Sequence, residues 1–247
     1  MKKNYLFTRR QVVLTGLSAI GGLILPGCSQ KAPPTYGNIL RMGDALTYIA
    51  HRTLLPGQSL AREYQHSDIS SFPATGTTNP GDPNYKYYSE DYGKLHHAAF
   101  ANWGLSIEGR VARPGSYSLG ALQDFPSRTQ ITRHTCEEGW TAIAEWTGVP
   151  LSHVLQHAGI MPSARFVNCY AYDGFMESID LIDAFHPQTI LAYGMNGRNL
   201  PVPHGAPVRL RVEKQIGYKS VKYLQRIVVT DEFVDLGDTG WSWYNGI

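Results

Sequence analysis

The sequence predicts an α+β fold, mostly strand, in a single domain that follows a short leader. Three observations carry this. Segments of alternating or β-branched residues recur at short, uneven intervals, and the helical patterns between them are brief. There is no regular strand–helix–strand rhythm, which disfavours a doubly wound parallel sheet. No internal repeat or low-complexity block interrupts the chain. At 247 residues the chain can bury a full core. A net charge of +2 argues against nucleic acid as a partner. Three cysteines make no disulfide framework.

Residues 1–35 read as a leader rather than as fold. Lys2, Lys3, Arg9 and Arg10 open it, and residues 12–25 are apolar and uncharged, too short and too early for a spanning helix. Thr8-Arg9-Arg10-Gln11-Val12-Val13-Leu14 resembles a twin-arginine export signal, so the periplasm is the expected destination. A general secretory signal with two chance arginines is the alternative. Leu25-Pro26-Gly27-Cys28 resembles a lipobox, in which Cys28 would carry a lipid anchor; Pro26 departs from the usual pattern, and plain cleavage nearby is the alternative. Gln30 to Thr35, with Pro33-Pro34, is a tether, and the domain is expected over residues 36–247.

In the domain, residues 38–55 have a loosely helical spacing, and residues 59–66 a short strand or turn. Residues 72–83, FPATGTTNPGDP, are a loop, long enough to suggest a function. Tyr85, Tyr87, Tyr88 and Tyr92 read as a surface wrap. Strands are predicted at 103–111, 117–119, 130–135, 165–172, 177–181, 189–193, 208–212 and 221–230. Helical segments are predicted at 119–125, 141–146, 151–158 and 182–185, the third entered through Pro150. Asn196-Gly197 is a hairpin-type turn. Residues 235–247 form an aromatic tail expected to pack on the body.

The densest stretch is 132–150, TRHTCEEGWTAIAEWTGVP. Cys136 closes an extended run and is flanked by Arg133, His134, Glu137 and Glu138. A structural cysteine prefers apolar neighbours, whereas a thiolate that binds metal or attacks substrate is helped by cations. The pattern leaves both readings open: ligand or nucleophile, or an ordinary core cysteine. Cys169 lies in an apolar strand and reads as core.

The second dense stretch is 200–223, LPVPHGAPVRLRVEKQIGYKSVKY, with His204, Arg209, Arg211, Lys214, Lys219 and Lys222 among strand-breaking Gly205, Pro207 and Gly217. Glycine lets backbone N–H groups approach a ligand, and lysine and arginine bind phosphate. This stretch could hold an anionic cofactor tail; a solvated basic face is the plain alternative. No HExxH, CxxC, GxSxG or phosphate-loop pattern occurs, nor a dinucleotide fingerprint. Adjacent His96 and His97 cannot share one face. Asp173, Glu177 and Asp180 read as turn residues near strand ends.

Together the two stretches resemble the sulfite oxidase fold, a family of molybdopterin-binding oxidoreductases. Cys136, an acid, Trp140 and Trp146-Thr147-Gly148-Val149-Pro150-Leu151 resemble its cysteine loop; His204-Gly205-Ala206-Pro207-Val208-Arg209 and Gly217-Tyr218-Lys219-Ser220-Val221-Lys222 resemble its cofactor cradle. The loop at 72–77 resembles that of the periplasmic methionine sulfoxide reductase catalytic subunits, with Ser70-Ser71 where those carry asparagines. The resemblance implies that Cys136 binds molybdenum as thiolate, soft sulfur suiting such a metal. It places Ser70, Phe72, His204, Arg209, Lys219, Ser220, Val221 and Lys222 around the pyranopterin. It makes Arg133 and His134 the substrate-side cations.

It implies a small substrate such as a sulfoxide or sulfite. Animal and plant relatives continue into a dimerisation domain; this chain is expected to be a monomer. No haem motif of the C-x-x-C-H kind occurs, so the electron partner would be external, a membrane haem protein or a periplasmic cytochrome. A non-catalytic, membrane-tethered pterin-binding module and a lipoprotein with structural zinc are the rival readings.

Overall fold

A computed structural model describes residues 59–234, and before them Leu46, Ile49, Ala50, Thr53 and Leu54, which are helical. The expected export signal, Cys28, the expected tether and residues 235–247 lie outside the described residues.

Helix α1 (Glu90–His97) is capped by Ser89, whose hydroxyl accepts from the Tyr92 N–H; acids fill its first turn and bases its last, as the helix dipole favours. Strands β1 (Gly104–Gly109) and β2 (Gly115–Ser118) form a hairpin, and Ser118 caps the short α2 (Leu119–Gln123). The long strand β3 (Arg128–Thr135) pairs antiparallel along its whole length with β4 (Thr141–Pro150). Then come α3 (Leu151–Ala158), β5 (Phe166–Ala171), β6 (Met176–Asp180) and α4 (Leu181–Ala184). β7 (Ile190–Met195) turns through Asn196-Gly197, both at positive φ, into the short β8 (Arg198–Asn199). β9 (Arg209–Arg211) and β10 (Leu224–Thr230) finish the described chain, separated by a 3-10 turn at Gly217–Lys219.

These strands make two sheets. One is ordered β2-β1-β10-β5-β6, with β1 and β10 parallel; the other is β3-β4-β7-β8, with β9 also paired to β7. The main core draws on both, with Leu105, Ile107, Val167 and Ile227 from the first and Val149, Leu191 and Leu210 from the second. A smaller core of Ala144, Trp146, Ile190, Ala192, Met195 and Leu200 takes in Phe72. At Gly148 the two strands β4 and β7 come so close that a Cβ would lie 2.2 Å from the Leu191 carbonyl oxygen.

The α+β, mostly-strand class is what the sequence predicts; three details differ. Residues 141–146 are not helical: they begin β4, because alanines that suit a helix here pair with β3 across the Cys136 turn, and tertiary pairing overrides propensity. Tyr92 is not at the surface. It is fully buried on α1, which the tyrosine-rich composition hid, and its hydroxyl donates to the Ala206 carbonyl at 2.7 Å. Glu177 and Asp180 are not turn residues but buried members of β6.

Candidate active site

Cys136 sits in the turn between β3 and β4. Its N–H donates to the Trp140 carbonyl at 2.9 Å, and the Gly139 N–H returns to the Cys136 carbonyl at 3.1 Å. The sulfur faces a cavity of about 580 Å³. His134 and Trp140 share that cavity, together with the loop from Phe72 to Thr77. His204, Arg209, Ser220, Val221 and Lys222 enter from the second dense stretch, so two segments far apart in the chain meet around one space.

Three predicted site residues are elsewhere. Arg133 precedes His134 on β3, so it points to the opposite face; it is exposed and lies over the Tyr64 ring at 5.3 Å. Ser70 is exposed and extends the sheet beside β4: its hydroxyl accepts from the Ile143 N–H and its own N–H donates to the Ile143 carbonyl, both at 3.0 Å. Lys219 is buried away from the cavity against Glu177. The structure also adds lining residues that no motif announced: Asp173, Gly174 and Phe175, from the β5–β6 turn. Tyr218, in the cradle motif but given no role there, lines it from the 3-10 turn.

His134 lines the cavity, but not as a cation. Burial, then Arg211, Arg209 and Lys222, push its pKa down to about 2. Its Nδ1 lies 2.7 Å from Nη1 of Arg211, which is itself locked to Glu213 through Nε at 3.0 Å and Nη2 at 2.8 Å. An arginine only donates, so Nδ1 must accept and Nε2 carries the proton. Gly217 closes on that ring: a Cβ there would stand 2.6 Å from His134 Nε2. Phe72 fills the angle between His134, Trp140, Trp146 and His204, with ring centroids 5.2–5.6 Å away.

The Cys136 thiol has the opposite setting from an activated nucleophile. Burial raises its pKa, and Glu137 and Glu138 add to this; only the Glu138 N–H, 3.5 Å from sulfur, favours the thiolate. Such a thiol keeps its proton near neutrality until a metal cation displaces it. Among the described residues no set of three His, Cys, Asp or Glu side chains could hold a metal. A metal on Cys136 therefore needs donors that the described protein residues do not supply, which suits a dithiolene and not a structural zinc.

The far wall suits an anion. Arg209 is buried; it donates from Nη1 to the His204 carbonyl at 3.0 Å and from Nη2 to the Ser220 carbonyl at 2.8 Å, and its Nε finds no partner. Lys222 donates to the carbonyls of Thr75 at 2.9 Å, Pro203 at 3.3 Å, and Thr77. Burial and Arg209 push the Lys222 pKa down to about 7, and burial with Arg209 and Lys222 brings His204 to about 4. A buried arginine, a half-buried lysine beside it and an orphan N–H are costly unless a negative group arrives. A pterin phosphate fits that demand.

Residues 92–235 match the family described as oxidoreductase molybdopterin binding domain. The chain belongs to this family.

The molybdopterin-dependent oxidoreductase is 31% identical over 242 residues to a protein of Azospira oryzae named putative protein-methionine-sulfoxide reductase subunit YedZ1, covering 97% of this chain and 86% of that one. It is also 31% identical over 155 residues to the protein-methionine-sulfoxide reductase catalytic subunit MsrP of Xanthomonas campestris pv. campestris. That match covers 56% of this chain and 47% of the relative, so the oxidoreductase aligns with about half of that protein's length. Among solved structures it resembles the sulfane dehydrogenase SoxCD of Paracoccus pantotrophus, with a TM-score of 0.51, 25% identity, and coverage of 53% of this chain and 39% of that one.

Proposed function

We propose that this oxidoreductase reduces sulfoxides in the periplasm: a sulfoxide, two electrons and two protons give a thioether and water. The observation that carries the reading is the single cavity in which the Cys136 sulfur meets Arg209 and Lys222. Cys136 holds molybdenum through its thiolate; Phe72, His204, Arg209, Ser220, Val221 and Lys222 hold the pterin and its phosphate. Bound there, the cofactor supplies two-electron oxygen-atom chemistry, and the protein supplies binding, orientation and electrostatics.

The reducing direction is supported by the two relatives named as protein-methionine-sulfoxide reductase subunits. The charge of the cavity supports it too. Arg209 and Lys222 belong to the far wall, where the pterin phosphate is placed; beside Cys136 the cavity is lined by Glu137 and Glu138. An anion such as sulfite meets like charge there, whereas a neutral sulfoxide does not. Trp140, Phe175 and Tyr218 give the substrate an apolar wall and exclude water.

The twin-arginine motif fits a protein that receives its cofactor before export. The electrons come from outside the chain, from a membrane haem protein or a periplasmic cytochrome. A lipid on Cys28 would keep a monomer beside such a donor.

The test is a substrate panel on metal-loaded protein. Methionine sulfoxide and dimethyl sulfoxide should be consumed with a reduced viologen dye, far faster than sulfite is oxidised with ferricyanide. Cys136→Ser should lose both molybdenum and turnover. Preferred oxidation of sulfite would overturn the reading.

A further inference from the structure

One buried pair of charges takes no part in the chemistry above. Glu177 stands on β6 opposite Cys169 of β5, on the core side of the first sheet, and is 1% exposed. A carboxylate cannot remain there alone. Lys219 meets it, with Nζ 3.0 Å from Glu177 Oε1 and 2.7 Å from the Ser178 carbonyl oxygen. Lys219 is also 1% exposed, and neither residue lines the cavity.

What the pair joins gives it meaning. Lys219 ends the 3-10 turn Gly217–Lys219, and the residues on either side of it are cavity wall. Before it, Gly217 abuts the His134 ring. After it, the Ser220 carbonyl receives Arg209 at 2.8 Å and the Ser220 hydroxyl receives the Val212 N–H at 3.2 Å; Val221 and Lys222 follow. β6 is the edge of one sheet, and Cys136 hangs from the other. The ion pair thus ties the middle of the cavity wall to the sheet that does not carry the sulfur.

We propose that Lys219 and Glu177 are positioning residues for the cofactor cradle. Their hydrogen bonds fix segment 217–222 against β6, and with it the places of Ser220, Val221 and Lys222. This rests on the reading that the cavity holds the pterin. A buried ion pair often adds little stability over apolar side chains of like volume; what it adds is direction. The two contributions can be separated.

The experiment uses full-length protein made with cofactor synthesis intact, comparing parent, Glu177→Met/Lys219→Met and Glu177→Gln. Two quantities are measured: the thermal midpoint after cofactor removal, and the rate at which molybdenum and pterin leave the loaded protein. The double variant should melt close to the parent yet release its cofactor about tenfold faster, the range seen when outer-shell partners of a metal site are lost. Release within about twofold of the parent would overturn the proposal, leaving the pair a matter of packing. If the double variant does not fold, Glu177→Gln decides. It keeps an acceptor for Lys219 without the charge, and should still release cofactor several-fold faster; parent-like release overturns the proposal. A parent that carries no pterin at all would instead overturn the reading of the cavity.

Discussion

His204 shows how one residue ties the cavity's charge to acidity. In the unfolded chain an imidazole takes a proton near pH 6.5. In the folded protein burial, Arg209 and Lys222 delay this to about 4. Between those values the unfolded state binds the extra proton, so acid favours unfolding. The stability that neutral His204 contributes is present above pH 6.5 and is lost as pH falls toward 4. Denaturant titrations of cofactor-free protein between pH 7 and 4 should show this decline, and His204→Gln should make it shallower; an unchanged slope would rule out His204 as a source. At this same scale sequence reasoning served unevenly. Cys136 stands out by its polar neighbours, and the sequence leaves open whether they activate it. They do not: burial, Glu137 and Glu138 all raise its pKa. The separation of Arg133 from His134 was legible in principle, since adjacent residues of a strand face opposite sides. Lys219 was not, because its partner Glu177 comes from another sheet.

Strand β4 is the element on which the site depends most. It carries the turn with Cys136 at one end and abuts β7 through Gly148 at the other. Gly148→Ala would set a methyl 2.2 Å from the Leu191 oxygen. Backbone cannot yield as a side-chain tip can, so the expected cost is about 1–3 kcal/mol or more. Urea unfolding should report it as a lower midpoint with an unchanged slope. The sequence of β4 misleads because Thr-Ala-Ile-Ala-Glu-Trp has helical composition and both of its faces are partly buried, which erases the alternation of a half-exposed strand. By contrast, α3 was plain from Pro150 at its start, and the β7–β8 turn from Asn196-Gly197. α1 was hidden because its sequence, Glu-Asp-Tyr-Gly-Lys-Leu-His-His, holds few apolar residues; Ser89 was the cap that could have marked it.

For the molecule as a whole, the gathered cations make the empty protein weaker than the filled one. Cofactor at a thousandfold excess over its Kd should add about 4 kcal/mol. In a chain of this size each kcal/mol moves the midpoint by about 2–4 °C. Loaded protein should therefore melt well above stripped protein in a calorimeter, and equal midpoints would mean that the folded cavity does not bind the pterin. Lys222 carries this furthest. An ammonium group has three protons, and here all three point at main-chain oxygens, those of Thr75, Thr77 and Pro203. Any phosphate that engages this amine must draw one of its N–H groups away from those oxygens. Seating the guest and slackening its roof are then a single event, so the mouth of the cavity cannot stay indifferent to what lies inside.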